Sequence, residues 1–330
     1  MQLGKIVSTQ VGIRTYGDAT CLKTFEIQLQ PPGDNEVRLR HTVVGVNYID
    51  VYQRTGLYRL PALPSALGVE AAGVIEELGS QVTDFRVGQR VAYAGLPAGS
   101  YSSLRNVPAD RLIALPDDVS DESAAALLLR GITAHMLLTH VWPVRPRDNL
   151  LLHAAAGGLG LVLVQWAKTL GARVIGTLGS QSKAALVLDL GLDEAILYRE
   201  VDFVEAARTL TDGRGVDFVV DGIGGANLLR SIQATRAFGL VASVGQVSGD
   251  GQDADRSLLE LAPGVAVSRP SVISYMRDLQ RYRDSAHATI ERLRAGLRVH
   301  IDSEFPLEDT AGAHRRLESR SSVGSILLRP

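Results

Sequence analysis

A chain of 330 residues exceeds the size at which one hydrophobic core keeps growing, so two domains are expected. With 45% hydrophobic and 21% charged residues the composition is globular and excludes extended disorder. The formal net charge of -2 argues against a partner bound through a phosphate backbone, so nucleic acid is not expected.

Cys21 is the single cysteine, which rules out an intrachain disulfide framework and a thiolate zinc cage. The opening "MQLGKIVSTQVGIRTYGD" lacks the charged start and apolar run of a secretory signal, and no apolar run reaches about 18 residues. The expectation is a cytoplasmic protein with no membrane partner.

In chain order, "EVRLRHTVVGV" alternates Val37 and Leu39 with Arg38 and Arg40 and then turns wholly apolar, as a strand entering a core from a solvated edge does. The next stretch, "VVGVNYIDVYQRTG", sets Asn47, Tyr48, Asp50 and Tyr52 closer together than a plain core strand would. "LPALPSALGVEAAGVIEELGS", "VGQRVAYAG" and "SYSSLRNVPADRLIALP" follow, each bounded by Gly or Pro, and predict a small β-barrel.

"SDESAAALLLRGITAHMLLTHV" has an acidic first turn and a cap at Ser120, and predicts a helix interrupted at Gly131. Strand-like and helix-like runs then alternate from "NLLLHAA" to "LVASVGQ", the mark of βαβ units on a parallel sheet. After "GVAVSRP" come one long polar helix, "SYMRDLQRYRDSAHATIERLRAGL", the strand "RVHIDSEFPLED", a shorter helix and a last strand "GSILLRP". The expected fold is α/β: a β-rich domain over 1–124 and 267–330, with a doubly wound parallel-sheet domain over 125–266 inserted in it.

The chemistry-bearing element is "NLLLHAAAGGLGLVLVQWAKTLGARVIGTLGS". A strand, a glycine turn and a helix bring unpaired backbone N–H groups and a positive helix end to one point, where a pyrophosphate can bind. Aligned on G-x-G-x-x-G, the positions are Ala155, Gly157 and Gly160, with Gly158 extra; Gly157, Gly158 and Leu159 head the helix. An NAD site offers an acid to the ribose about 20 residues on. Here Gly179, Ser180 and Lys183 stand there, with no acid between Gly171 and Lys183, which suits the 2'-phosphate of NADPH. Ser180 also reads as a helix cap and Lys183 as a solvated side chain. "VVDGIGG", with Ile223 among its glycines, and "ASVGQVSG", with Gly245 and Gln246, bring further strand ends to the same crevice. Asp217 and Asp221 read as turn and cap residues.

"GVNYIDVYQRTGLY", "LGVEAAGVIEELGSQV", "GQRVAY", "AGSYSS", "HAAAGGLG", "QWAKTLGA", "SRPS" and "ESRSSVGSILL", in this order, resemble the zeta-crystallin-like NADPH:quinone oxidoreductases. These are zinc-independent members of the medium-chain dehydrogenase/reductase superfamily. The resemblance implies a GroES-like catalytic domain, a Rossmann domain, and a homodimer joined through edge strands, here "GVAVSRP". Zinc-dependent relatives carry two Cys and a His at positions occupied here by Asn47, Leu129 and Val69, so no metal is expected. Without a Lewis acid, a quinone or enone is the expected acceptor, because it delocalises the incoming electron pair itself.

Carried over by position, Asn47, Tyr48 and Asp50 lie beside the nicotinamide ribose, with Asp50 pinning the turn. Tyr52 meets the substrate oxygen or lines its pocket, and Asn47 and Tyr52 are the catalytic candidates. The resemblance further places Thr133 at the nicotinamide, Tyr198 at the adenosine, Ser268 to Pro270 at the carboxamide and Arg320 at the 2'-phosphate. His41, His135 and His153 read as satisfied core or surface imidazoles. The expected function is zinc-independent reduction of a quinone by NADPH through hydride or electron transfer. The alternatives are an enoyl- or acryloyl-type reductase and an NADPH-binding protein with a mainly non-catalytic role.

Overall fold

The computed structural model describes residues 6–247 and 264–330, so the first five residues of the segment read for a leader lie outside the described residues. The chain divides into two compact units, Met1–Ile132 with Met276–Pro330, and Thr133–Tyr275. The first divide falls inside the helix α2 (Asp121–His135), and the second follows a short helix, Val272–Tyr275.

The first unit is built on β1 (Val7–Ile13), β2 (Lys23–Gln28), β3 (Glu36–Val46), β4 (Ser65–Ala66), β5 (Glu70–Leu78), β6 (Arg90–Ala94), β7 (Leu104–Pro108) and β8 (Ile113–Ala114). The chain returns at its end with two more strands, Ile301–Pro306 and Ser325–Arg329. Ser325–Arg329 pairs antiparallel with β3, which itself pairs with β5 and β7; β1, β2 and β4 form a second sheet, joined to the first by the bridge from Gln10 to Ser102. β3 turns its apolar side inward, with Val37, Leu39, Val44 and Val46 fully buried against Ile326 and Leu328. Only Arg40 of its two arginines behaves as the alternation predicts. Arg38 is covered and paired with Glu77, because its side chain runs under the strand-edge loop to the carbonyl of Gln30.

Helix α1 (Tyr48–Thr55) leaves β3 directly and ends on Gly56, whose φ of 83° closes the helix in the left-handed region. Helix α2 differs from expectation: it runs through Gly131 without a break. The glycine is there for space. A Cβ at 131 would overlap the Thr289 side chain, on the helix Leu279–Arg294. The long polar helix expected after "SRPS" is two helices, because the Asp278 side chain accepts from the backbone N–H groups of Gln280 and Arg281 and starts a new one. With its π-helical extension, α2 forms the span Asp121–Val141. It is long and apolar enough to cross a membrane, yet 72% of that stretch is buried inside the protein, as in a core helix.

The second unit holds β9 (Asn149–Leu152), β10 (Arg173–Leu178), β11 (Glu194–Leu197), β12 (Val216–Asp221), β13 (Thr235–Ser243) and β14 (Ala266–Ser268). Among the described residues they form one parallel sheet in the order β11-β10-β9-β12-β13-β14, with α3 (Gly158–Thr169), α4 (Gln181–Asp189), α5 (Phe203–Thr209) and α6 (Ala226–Ala234) as crossovers. Strands buried on both faces are continuously apolar, and Leu151, Ile175, Val219 and Val241 are all fully buried. The strand order reverses between β9 and β12, which is where an open parallel sheet presents its ligand crevice.

Replacing Gly131 by alanine should destabilise the first unit by about 1–3 kcal/mol, the cost of overpacking outweighing the gain in helix propensity of roughly 1 kcal/mol. A urea titration showing equal or higher stability would refute the close-packing role.

Candidate functional site

In the first unit, the site is organised on Glu70, the opening residue of β5, which is fully buried. Its Oε2 accepts from Asn47 Nδ2 at 2.7 Å and its Oε1 from the backbone N–H of Leu129 at 2.6 Å. Gly45 makes room: a Cβ there would stand 2.6 Å from Glu70 Oε2. Arg130, next in α2, is buried and donates to the carbonyl of Val46 at 2.8 Å and to Ser325 Oγ at 2.7 Å. Burial pushes the Glu70 carboxyl upward while the nearby Arg130 guanidinium pulls it back down.

Two of the three positions at which zinc-dependent relatives carry ligands, Asn47 and Leu129, therefore share one carboxylate. Asn47 spends its amide on Glu70, Leu129 spends its N–H there, and Val69 is a buried aliphatic. These residues do not fit a zinc ion held by thiolates and imidazole: Asn47 turns its amide nitrogen to Glu70, and the side chains of Leu129 and Val69 carry no donor atom. Among the described residues, no three His, Cys, Asp or Glu side chains come together as metal ligands.

Asp50, fully buried in the first turn of α1, accepts from the Asn47 backbone N–H at 2.8 Å and from the Tyr101 hydroxyl at 2.9 Å, both on Oδ2. It thus pins the turn that carries Asn47. His314 fixes the direction of the bonds behind it. Arg54, which can only donate, faces His314 Nδ1 at 3.2 Å, so His314 carries its hydrogen on Nε2 and donates it to Tyr101 at 3.0 Å, leaving the Tyr101 hydrogen for Asp50. Arg54 also holds Glu318 through both terminal nitrogens, at 2.8 and 2.7 Å. Burial raises Asp50 to about 7, against the bonds from Asn47 and Tyr101 that favour its charged form.

Tyr52 is 8% exposed, with its ring 5.2 Å from Tyr58 in an edge contact and 6.1 Å from Tyr48. Tyr48 donates to the carbonyl of Leu317 at 3.1 Å, and burial raises its phenol to about 12. Arg320 follows the helix Thr310–Glu318 of this same unit, with a left-handed φ of 58°. His41 lies between the Ser102 carbonyl and the Tyr93 hydroxyl, and burial pushes it down to about 3; it is a satisfied core imidazole.

In the second unit the glycine turn is a cradle. Ala154 stands in the left-handed region at φ 50°, and its carbonyl accepts from Gly157 N at 2.8 Å. A Cβ at Gly160 would come within 2.6 Å of that carbonyl. Gly157 caps α3 with no side-chain hydrogen bond, so no side chain competes for the N–H groups of Gly158, Leu159 and Gly160 at the positive helix end. Ser180 caps α4, accepting from Lys183 N at 3.4 Å, and Tyr198 lies half-exposed beside the same turn, its hydroxyl 3.1 Å from where a Cβ of Gly179 would be. Asp221 accepts from the N–H groups of Ile223 and Gly224, a turn role, while the next helix is capped by Gly225 with no side-chain bond, and a Cβ at Gly245 would approach Gly222 O to 2.6 Å. Ser268 ends β14 beside Ala242 of β13, and Thr133 opens the unit within α2. The pattern of close glycines around an uncapped helix end fits a dinucleotide.

Sequence reasoning missed Glu70, Arg130, Tyr101 and His314. A signal existed for two of them: a lone acid in "GVEAAGVI" and a lone arginine in "ALLLRGIT", each in an apolar run where an unpaired charge would not be tolerated.

Residues 33–117 match the family model of the alcohol dehydrogenase GroES-like domain, and residues 158–290 that of the zinc-binding dehydrogenases. The chain is 37% identical to quinone oxidoreductase 1 of Escherichia coli (strain K12) over 98% of its own length and 100% of that protein. It is 39% identical to 2-haloacrylate reductase of Burkholderia sp over 92% of this chain and 94% of that one. A crystal structure of E. coli quinone oxidoreductase complexed with NADPH superposes with a TM-score of 0.94, at 37% identity, covering 98% of this chain and 100% of that one.

Asp50 gives a pH signature. Its pKa is raised from 3.8 to about 7, so the folded state keeps a proton that the unfolded chain releases. The stability this contributes is full below pH 3.8 and is lost as the pH rises through about 7. Asp50→Asn keeps an acceptor for Asn47 and Tyr101, and its melting temperature relative to wild type should climb between pH 4 and 8. A difference independent of pH in calorimetric melts would contradict this.

Proposed function

Because the chain belongs to the quinone oxidoreductases of the medium-chain dehydrogenase/reductase superfamily, we propose that it reduces a quinone with NADPH, without zinc. The observation that carries this is the Glu70 carboxylate, which takes up the Asn47 amide and the Leu129 N–H where zinc-dependent relatives place metal ligands.

When bound, NADPH supplies a hydride from its nicotinamide ring. The N–H groups of Gly158 and Leu159 would receive the pyrophosphate, the turns at Gly179, Ile223 and Gly245 would leave room for the dinucleotide, and Ser180 with Lys183 would take the 2'-phosphate, no acid standing between Gly171 and Lys183 in the chain. Tyr198 would flank the adenosine, Ser268 the carboxamide, and Thr133 the nicotinamide. Asn47, held by Glu70 and Asp50, would orient the nicotinamide ribose together with Tyr48, and Arg320 would add a cation for the phosphate. Tyr52 lines the acceptor pocket with its ring. Its phenol would reach the quinone oxygen as a hydrogen-bond donor. A quinone spreads the incoming charge over its own conjugated system, so positioning and exclusion of water are what the protein must provide.

The relative named 2-haloacrylate reductase supports a second reading, reduction of an α,β-unsaturated carbonyl on the same scaffold. Both acceptors share conjugation, and a turnover panel separates them.

We also read the protein as a homodimer. β14 is the terminal strand of the parallel sheet, Val267 on it is 48% exposed, and beside it Phe238 is 82% exposed at a φ of 61°. Its N–H donates to Gly264 O at 2.7 Å, which presents the ring beside the strand that ends the sheet among the described residues. A single free cysteine, Cys21, supports a reducing compartment such as the cytoplasm.

NADPH oxidation should proceed with several quinones faster than with enones, and NADPH should exceed NADH in kcat/KM by tenfold or more. Lys183→Glu should cut that preference about tenfold, the effect of roughly 1.4 kcal/mol. Turnover with NADH equal to that with NADPH would overturn the cofactor reading, and enones outpacing quinones would favour the second acceptor. Phe238→Asp should shift the sedimentation coefficient from dimer to monomer; an unshifted dimer would place the interface elsewhere.

A further inference from the structure

Three strand ends of the second unit meet on one buried imidazole. His153 directly follows β9, the central strand at the point where strand order reverses, and is 8% exposed. Its Nδ1 lies 3.0 Å from Thr177 Oγ1 on β10, and its Nε2 lies 2.9 Å from Ser231 Oγ on α6. Ser231 Oγ in turn is 2.7 Å from Oδ2 of Asp221, the last residue of β12.

The chemistry of the partners settles which atom donates. Both other neighbours of the Ser231 hydroxyl, Asp221 Oδ2 and the Asn227 carbonyl at 3.0 Å, only accept, so the serine hydrogen goes to one of them. His153 must then donate from Nε2, and its bare Nδ1 accepts from Thr177. Burial lowers the basicity of His153, in keeping with a neutral ring. Phe203 closes the site with its ring edge-on at 4.8 Å, and the Arg230 guanidinium covers Phe203 from 4.5 Å.

Asp221 is the receiving end, and it is fully buried. Its Oδ1 takes the N–H groups of Ile223 at 2.8 Å and Gly224 at 3.0 Å; its Oδ2 takes Asn227 Nδ2 at 3.0 Å and Ser231. A carboxylate at the carboxyl end of a strand in this crevice would repel a pyrophosphate unless its charge is spent on donors. Ser231 has two acceptors to choose from. Donation from His153 polarises the serine hydroxyl and strengthens its bond to the charged one, Asp221. The carboxylate is then held against the turn that carries Ile223, with Gly224 and Gly225 at φ 76° and 55°.

We propose that His153 and Ser231 are positioning residues for the cofactor: the directed chain Thr177 to His153 to Ser231 to Asp221 sets the Gly222–Gly225 turn and thereby the affinity for NADPH. The proposal rests on the reading of this unit as the NADPH site. It differs from a merely satisfied core histidine in what it predicts, since loss of a core contact lowers stability without singling out one substrate.

The test uses the full-length protein and three variants, Ser231→Ala, His153→Leu and His153→Gln, the last of which can still accept and donate. NADPH Kd from tryptophan quenching, KM for NADPH, KM for the quinone and the melting temperature are measured for each. Ser231→Ala and His153→Leu should weaken NADPH about tenfold or more with the quinone KM changed less than twofold, and His153→Gln should recover most of the loss. Unchanged NADPH affinity in folded Ser231→Ala, or equal changes in both KM values, would overturn the proposal. Should His153→Leu fail to fold, Ser231→Ala decides alone, because it removes one oxygen atom. A wild type that binds no NADPH removes the functional reading and this proposal with it, whereas a wild type that binds NADPH while Ser231→Ala binds it equally well removes only the proposal.

Discussion

A carboxylate taken out of water must be given donors, and Glu70 is the one on which the first unit turns. Fully buried, it is satisfied only because Gly45 leaves space beside it, Asn47 and Leu129 bring N–H groups to it from two different elements, and Arg130 supplies the compensating charge. Each of those residues is then constrained in return. The Val46 carbonyl is tied to Arg130, the Asn47 N–H to Asp50, and the whole β3-to-α1 corner stands rigid. With its carboxylate oxygens on the Asn47 amide and the Leu129 N–H, Glu70 ties the end of β3 to α2.

Asp50 extends the arrangement toward the surface. The bonds from Arg54 through His314 and Tyr101 run in one direction, and an arginine at the far end cannot release a proton, so the series anchors and does not conduct. Two buried carboxylates, Asp50 and Glu70, sit near one buried guanidinium that pulls both down, but burial outweighs it, raising both and bringing Asp50 to the neutral range. The second unit meets the same problem differently. Asp221, also fully buried, is satisfied by two backbone N–H groups, an amide and a hydroxyl, all neutral donors.

Much of this was legible in the chain. The turn from Ala155 to Gly160, the crossovers that follow it and the missing acid before Lys183 depend on local spacing, and local spacing survives folding. The turn role of Asp221 was legible because its backbone donors are two and three residues away. Gly131 was misread for the opposite reason: its constraint comes from Thr289, a distant residue that no helix-breaking rule can see. Likewise the pairs that make the first site are far apart in the chain, Asn47 with Glu70 by 23 residues, Leu129 with Glu70 by 59, and Tyr101 with His314 by 213.

By itself, then, the sequence determined the elements and their periodicity, the glycine turn that opens α3, and the loss of the metal donors at Asn47, Val69 and Leu129, because residue type and near-neighbour spacing decide these. Tertiary structure alone decided which donors satisfy Glu70, which hydroxyl donates to Asp50, and that His153 joins three strand ends. Those outcomes come from burial, which forces every polar atom to find a partner and leaves the choice to whichever strand or helix folding brings within 3 Å.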